Sequence, residues 1–263
     1  MENPDDKAAQ QLGDESQSTS VVTAGGVYGF TVQRRVSLVD PKLITRFETI
    51  PETFEKSRSV SEVVNARKHM YNSDSRYFTL DIPAQHCDVP DEVLLAKFIR
   101  GYFGGAVIGP ERMTLQTVGL NLVHFSKAAS NPRTDVWSLK ELPETKPPPI
   151  NTVLFGVFQT LDSQIASPDH GNGMPNRTES YVDFGFGSDS VRFAGVHRFA
   201  VVRLREEQSE QQTVQIHYQS MSCNPITNKP LGPQWMFKFH EVYADYLFRD
   251  GVSEIKRWMN VDS

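Results

Sequence analysis

The sequence predicts an α+β fold in which a long C-terminal helix packs over a curved antiparallel β-sheet and leaves an apolar pocket between them. Segments between residues 152 and 221 show the alternation or the short apolar runs that are typical of strands. The segment after Gly232-Pro233 is amphipathic at the helical period and rich in aromatic residues. The chain also contains 16 phenylalanines, which such a core or pocket would accommodate.

The 263 residues are long enough to bury one large core without covalent cross-links. Residues 1–24 are predicted to form a disordered tail, because Asp, Glu, Gln and Ser dominate them and large apolar residues are almost absent before Val21. Residues 25–263 are predicted to form a single domain, whose first part, 25–90, is an N-terminal extension of helices and a strand.

In this extension, the alternation over 28–39 predicts a strand that ends before Asp40-Pro41. Ser59 and Glu62 have the spacing of a capping box, which predicts a helix that begins at Ser59 and ends near residue 72. A second strand is predicted over 76–82.

The middle of the chain combines a helix with further strands. Residues 91–100 are predicted to form an amphipathic helix capped by Asp91. Residues 112–125 alternate between apolar and polar side chains and then form an apolar run, which predicts one or two strands broken at Gly119. The proline-rich segment 128–150 is predicted to be a surface connection, because proline neither continues a helix nor donates to a sheet.

The main strands are predicted to lie at 152–160, 180–186, 195–205 and 213–221. The polar connection 206–212 is short enough for a hairpin, so the last two strands should pair in antiparallel fashion.

The C-terminal helix is predicted to bury an aromatic stripe against the strands. Trp235, Phe239, Val242 and Tyr246 share one side of it at helical spacing. Gly251 is a position where the helix could be interrupted before residues 252–258 add further turns.

The predicted strands and last helix resemble the START and polyketide-cyclase superfamily. The resemblance is closest to a bacterial family of uncharacterised function within it, through Leu231-Gly232-Pro233 followed by Tyr246-Leu247 and through Phe155-Gly156 to Thr160 followed by Glu179. The resemblance covers residues 91–257. It implies the helix-grip fold of that superfamily, a sheet wrapped around the last helix, and a ligand pocket. Members bind lipids, hormones or polyketides, and some cyclise, dehydrate or isomerise them without a metal or an organic cofactor.

Four residues are candidates for acid–base catalysis. Glu179 and Asp183 share one face of a strand; if that face lines the pocket, burial raises their pKa values, whereas the alternative is that both lie in solvent. His197 lies among apolar neighbours and His240 on the closing helix, and either imidazole could transfer protons or simply be structural. His217 is a weaker candidate of the same kind.

Aromatic side chains are candidates for contact with a ligand, because tyrosine hydroxyls orient ligands in otherwise apolar pockets. Packing in the core is the alternative for each of them. The candidates are Tyr181, Phe184, Phe199, Tyr218, Trp235, Phe239 and Tyr243.

Composition argues against several classes of partner. The net charge is −5 and the basic residues are scattered, so nucleic acid is not an expected partner. No run approaches the roughly 20 apolar residues of a membrane span, and no signal peptide is apparent, so the expected location is the cytoplasm. Two distant cysteines do not suggest a zinc site, and nucleotide-binding and hydrolase motifs are absent. No cofactor is expected.

The leading expectation is a cofactor-independent enzyme that cyclises, isomerises or dehydrates a hydrophobic small molecule, such as a polyketide or a terpenoid-type intermediate. A binding or carrier protein with the same pocket and an interaction scaffold are the alternatives. The substrate and the oligomeric state stay open, with a homodimer among the possibilities.

Overall fold

The computed structural model describes residues 25–166, 177–204 and 213–261. They form an α+β structure whose strands join in one sheet. The strands are β1 (Thr45–Phe47), β2 (Tyr71–Asp81), β3 (Thr134–Val136), β4 (Thr152–Leu154), β5 (Phe158–Gln164), β6 (Arg177–Gly187), β7 (Ala194–Leu204) and β8 (Thr213–Cys223). Their order is β1-β2-β8-β7-β6-β5-β4-β3, and every neighbouring pair except β3 and β4 is antiparallel.

The helices in the described ranges are α1 (25–36), α2 (Glu52–Glu55), α3 (Asp91–Gly104), α4 (Gly109–Val118) and α5 (Gln234–Val261), with a π-helix at Ser59–Val64. Short 3₁₀ turns lie at Pro41–Leu43, Ala84–His86 and Leu139–Glu141. None of the helices in this part of the chain is long and apolar enough to cross a membrane. The α+β class, the antiparallel pairing of β7 with β8 and the long C-terminal helix are confirmed.

Helices α3 and α5 lie side by side on one face of the sheet, which we call the helical face. The ring of Phe98 on α3 lies 4.9 Å from that of Phe199 on β7 and 5.7 Å from that of Phe248 on α5. The two helices are in close contact at Gly101 and Gly251, where a Cβ added to Gly101 would lie 2.8 Å from the Cα of Gly251. Gly251 therefore allows close packing and does not interrupt α5.

The opposite face of the sheet is covered in part by α2 and the π-helix. Phe54, Val60 and Val64 are buried there, together with Met221 and Cys223 of β8. Because both faces are covered, polar side chains on either face of the central strands can be buried.

The N-terminal strand predicted over 28–39 is wrong, because 25–36 is helical. Val32, Val36 and Val39 are the partly or fully buried apolar positions, and their spacing is helical rather than alternating. Arg249 donates to the backbone carbonyls of Val36 and Val39, which ties the end of α1 to α5.

Three further element predictions need correction. The helix predicted from Ser59 to residue 72 is the six-residue π-helix, and β2 begins at Tyr71. The strands predicted over 112–125 are wrong: α4 occupies the first part and ends at Gly119, which adopts the left-handed conformation at φ +66°. Asp91 is not a cap; it accepts hydrogen bonds from Ser180 and Arg203 at 2.6 Å.

The orientation predicted for the last helix is also wrong. Trp235, Phe239 and Val242 are 69, 70 and 59% exposed. The side chains of α5 that pack into the core are instead Ala244, Leu247, Phe248, Val252, Ile255 and Met259. The predicted strand 152–160 is two strands, β4 and β5, and the predicted tail 1–24 and connection 206–212 lie outside the described residues.

Candidate functional site

Polar side chains lie together within the aromatic core of the helical face. Because alternate residues of a strand share a face, the register places two rows of side chains across β2, β8 and β7. The rows are Asp74, Ser220 and His197, and Arg76, Tyr218 and Phe199. The histidine cluster, as we name it, consists of His197, Tyr218, Ser220, Arg76 and, from α3, Tyr102.

His197 is the centre of the histidine cluster and is only 3% exposed. Its Nδ1 lies 3.0 Å from Ser220 Oγ and 3.1 Å from the Tyr218 hydroxyl. The rings of Phe186 and Phe158 lie 4.5 and 6.0 Å from the imidazole. Burial lowers the pKa of His197 well below its ordinary value, so the imidazole is neutral near pH 7. Within the described ranges, no hydrogen-bond partner faces Nε2.

Two tyrosines place hydroxyl groups beside this imidazole. Tyr102 stacks on Tyr218 with ring centroids 5.8 Å apart, and both side chains are fully buried. Burial raises the pKa of Tyr218 to about 12 and that of Tyr102 well above its ordinary value. Both hydroxyls therefore stay protonated at neutral pH and can donate hydrogen bonds.

Arg76 brings a fully buried positive charge to the same region. Its guanidinium pairs with Asp74 and, at 3.3 Å, with Asp245 of α5, and its Cζ lies 5.5 Å from the centroid of the Tyr218 ring. Nε is buried and has no partner among the described residues. Arg76 was not among the site residues predicted from the sequence, although its alternation with Phe78 indicates an inward-facing charge.

The predicted site residues on α5 lie at or beyond the edge of the histidine cluster. His240 is exposed, yet desolvation lowers its pKa, and its charge would lower the pKa of His197 further. Tyr243 is half-buried and donates to Glu111 at 2.7 Å, and Phe239 stacks on its ring at 6.4 Å. Trp235 and Phe239 are mostly exposed, and their assignment to ligand binding stays a prediction.

The remaining predicted residues are divided between the two faces of the sheet. Phe184 and Phe199 are buried on the helical face, with their ring centroids 5.4 Å apart. Glu179, Tyr181 and Asp183 lie on the opposite face. The structure therefore brings His197 together with Tyr218 and separates both from the predicted carboxylates.

On that opposite face, Asp183 is fully buried and binds Arg198 in a bidentate pair at 2.7 and 2.8 Å. Burial raises the pKa of Asp183, and the hydrogen bonds from Arg198 oppose that rise. The carboxylate of Glu179 pairs with Arg177 at 3.0 Å. These carboxylates have structural partners, which the alternation of polar residues in the sequence did not reveal.

Comparisons with protein-family models, with curated proteins and with solved structures find no match to this chain. In the part of the chain that the structure describes, no three His, Cys, Asp or Glu side chains are grouped as metal ligands.

Proposed function

We propose that the chain is a cofactor-independent enzyme that acts on a hydrophobic small molecule at the histidine cluster. The observation that carries the proposal is the neutral, buried imidazole of His197, held by hydroxyl groups between aromatic rings while Nε2 has no partner in the described residues. The aromatic surroundings would favour an apolar substrate, and the few polar groups would orient it.

The chemistry follows from the tautomer of His197. When Nδ1–H is donated to Ser220 Oγ, the lone pair of Nε2 is free to accept a proton from a carbon next to a carbonyl group. The Tyr218 hydroxyl lies 3.1 Å from Nδ1, on the side of the ring away from Nε2, and helps to hold the imidazole in this orientation. Proton removal of this kind begins many isomerisations, dehydrations and cyclisations, the reaction classes that the START and polyketide-cyclase resemblance implies.

Two coarser observations are consistent with the rest of the proposal. Helix α5 lies across one face of a mostly antiparallel sheet, which supports a helix-grip fold. Cys87 and Cys223 are both free thiols, as is usual in a reducing compartment such as the cytoplasm.

A panel of hydrophobic β,γ-unsaturated ketones tests the proposal. Their conversion to conjugated enones requires only that His197 remove a proton from the α carbon and return it to the γ carbon, and it is followed by ultraviolet absorbance. The full chain should convert at least one of them. His197→Gln should lower kcat by about 10²- to 10⁴-fold while the KM changes little. His217→Gln, on the opposite face of β8, is the matched control and should leave kcat unchanged.

A carrier protein is the second candidate, because His197 is almost inaccessible and already hydrogen-bonded. It would bind members of the panel, measured by calorimetry, without converting any of them. Turnover that survives His197→Gln would contradict the assignment of the proton acceptor.

A further inference from the structure

A second candidate site lies on the opposite face of the sheet, away from the histidine cluster. It is a cleft of about 520 Å³ between α2 with the turn that follows it, on one side, and strands β5, β6 and β7, on the other. This volume is typical of small-molecule sites. We call it the arginine cleft. Its charged and aromatic lining consists of Arg58, Asp162, Arg177, Glu179, Tyr181 and Arg198.

Arg198 is fixed in the wall of the arginine cleft. Its side chain is 3% exposed, and its Nε and Nη2 donate to Asp183. Its Cζ lies 3.6 Å from the centroid of the Tyr181 ring and 4.7 Å from that of Phe54. Nη1 donates no hydrogen bond to any of the described residues. Arg198 therefore presents a desolvated and immobile donor to the cleft, an arrangement that loses little entropy when an acceptor binds.

The other charges of the arginine cleft are only partly neutralised. Arg177 and Glu179 pair with each other. Arg58 donates to the backbone carbonyl of Lys127 at 2.9 Å, and no carboxylate of the described residues lies within salt-bridge distance of it. Asp162 accepts from the Tyr181 hydroxyl at 3.2 Å and likewise has no cationic partner in the described ranges. With respect to the described residues, the cleft thus contains one positive and one negative side chain without an oppositely charged partner.

We propose that the arginine cleft binds a small organic acid that also carries an amino or hydroxyl group. The carboxylate of such a ligand would accept one hydrogen bond from Arg58 and one from Nη1 of Arg198, and charge-assisted bonds of this kind are strong. Its amino or hydroxyl group would donate to Asp162. A multiply charged anion fits less well, because Asp162 and Glu179 would repel it. The proposal does not depend on the enzymatic function proposed above.

The test is calorimetric titration of the full chain with the proteinogenic L-amino acids and L-lactate. Acetate, which lacks the donor, and ethanolamine, which lacks the acid, are the matched ligands. At least one member of the panel should bind at least tenfold more tightly than either matched ligand. Tenfold corresponds to about 1.4 kcal/mol.

Two exposed or half-exposed side chains provide the variants. Arg58→Gln should weaken binding of that ligand at least tenfold, and Asp162→Asn should abolish its advantage over acetate. Arg133→Gln, which removes an arginine outside the arginine cleft, should change neither the affinity for that ligand nor its advantage over acetate. The proposal is overturned if no member of the panel binds below about 10 mM, if acetate binds equally well, or if Arg58→Gln binds like the unaltered chain.

Discussion

The stability of the chain should fall as the pH is lowered from 7 to 5, and His197 should account for about 2 kcal/mol of that loss. Burial holds the pKa of His197 far below its ordinary value in the folded state. In the unfolded chain the imidazole has a pKa of about 6.5 and takes up a proton over this range. Since the unfolded state binds more protons, the free energy of unfolding is largest above pH 6.5 and decreases below it.

The magnitude follows from linkage for one site. With an unfolded-state pKa of about 6.5 and no protonation of the folded state, the free energy of unfolding decreases by about 2 kcal/mol between pH 7 and pH 5. His217, whose pKa burial lowers to about 4, adds a second contribution in the same direction. The loss should therefore exceed what one histidine provides.

Urea unfolding at pH 5, 6 and 7 measures this dependence for the unaltered chain and for His197→Gln. The variant should lose about 2 kcal/mol less between pH 7 and pH 5, whatever its stability at pH 7. His124→Gln, which removes an exposed imidazole, should keep the original dependence. Equal pH dependence in His197→Gln and the unaltered chain would refute the reasoning. Should His197→Gln fail to fold, NMR of the imidazole of His197 between pH 7 and 5 decides, because a proton taken up there contradicts the lowered pKa.

Two further predictions concern close packing and the buried ion pair. Gly101→Ala places a Cβ 2.7 Å from that of Glu254 and should destabilise the fold by about 1–3 kcal/mol in thermal unfolding. In the control Gly29→Ala, the new Cβ on α1 meets nothing within 4 Å, and the substitution should stabilise the fold by about 0.5–1 kcal/mol. Equal effects of the two substitutions on stability would refute the close contact between α3 and α5. Asp183→Asn leaves Arg198 buried without its counter-charge and should cost about 3–5 kcal/mol in urea unfolding, part of which Arg198→Met in the same chain should restore. A loss below about 1 kcal/mol would contradict that burial.

Local sequence patterns correctly predicted those elements whose structure depends mainly on their own residues. The alternation over 76–82 and 180–186 predicted strands, and the polar connection between β7 and β8 predicted their antiparallel pairing. His197 was selected from its apolar neighbours, and Tyr218 because a tyrosine hydroxyl can orient a ligand in an apolar pocket. The same reasoning failed at 28–39, where three alternating apolar residues occur in a segment whose buried positions have helical spacing.

The local sequence pattern did not show which face of each strand packs against another element. On β6, Phe184 and Asp183 are both fully buried, because one face is covered by α3 and the other by α2 and the π-helix. An amphipathic pattern identifies the inward face only when a single face is covered. The carboxylates that the sequence offered as catalytic residues proved to have arginine partners for this reason.

The sequence alone determined the types of most elements, because hydrogen bonding and side-chain periodicity act over a few residues. Only the tertiary structure decided which of two apolar stripes on opposite sides of α5 is buried, since Phe239 and Phe248 are equally apolar and differ only in what lies beside them. It also decided the position of the buried charges. Arg76 meets Asp245 across 169 residues of chain, and a contact of that range depends on how whole elements pack.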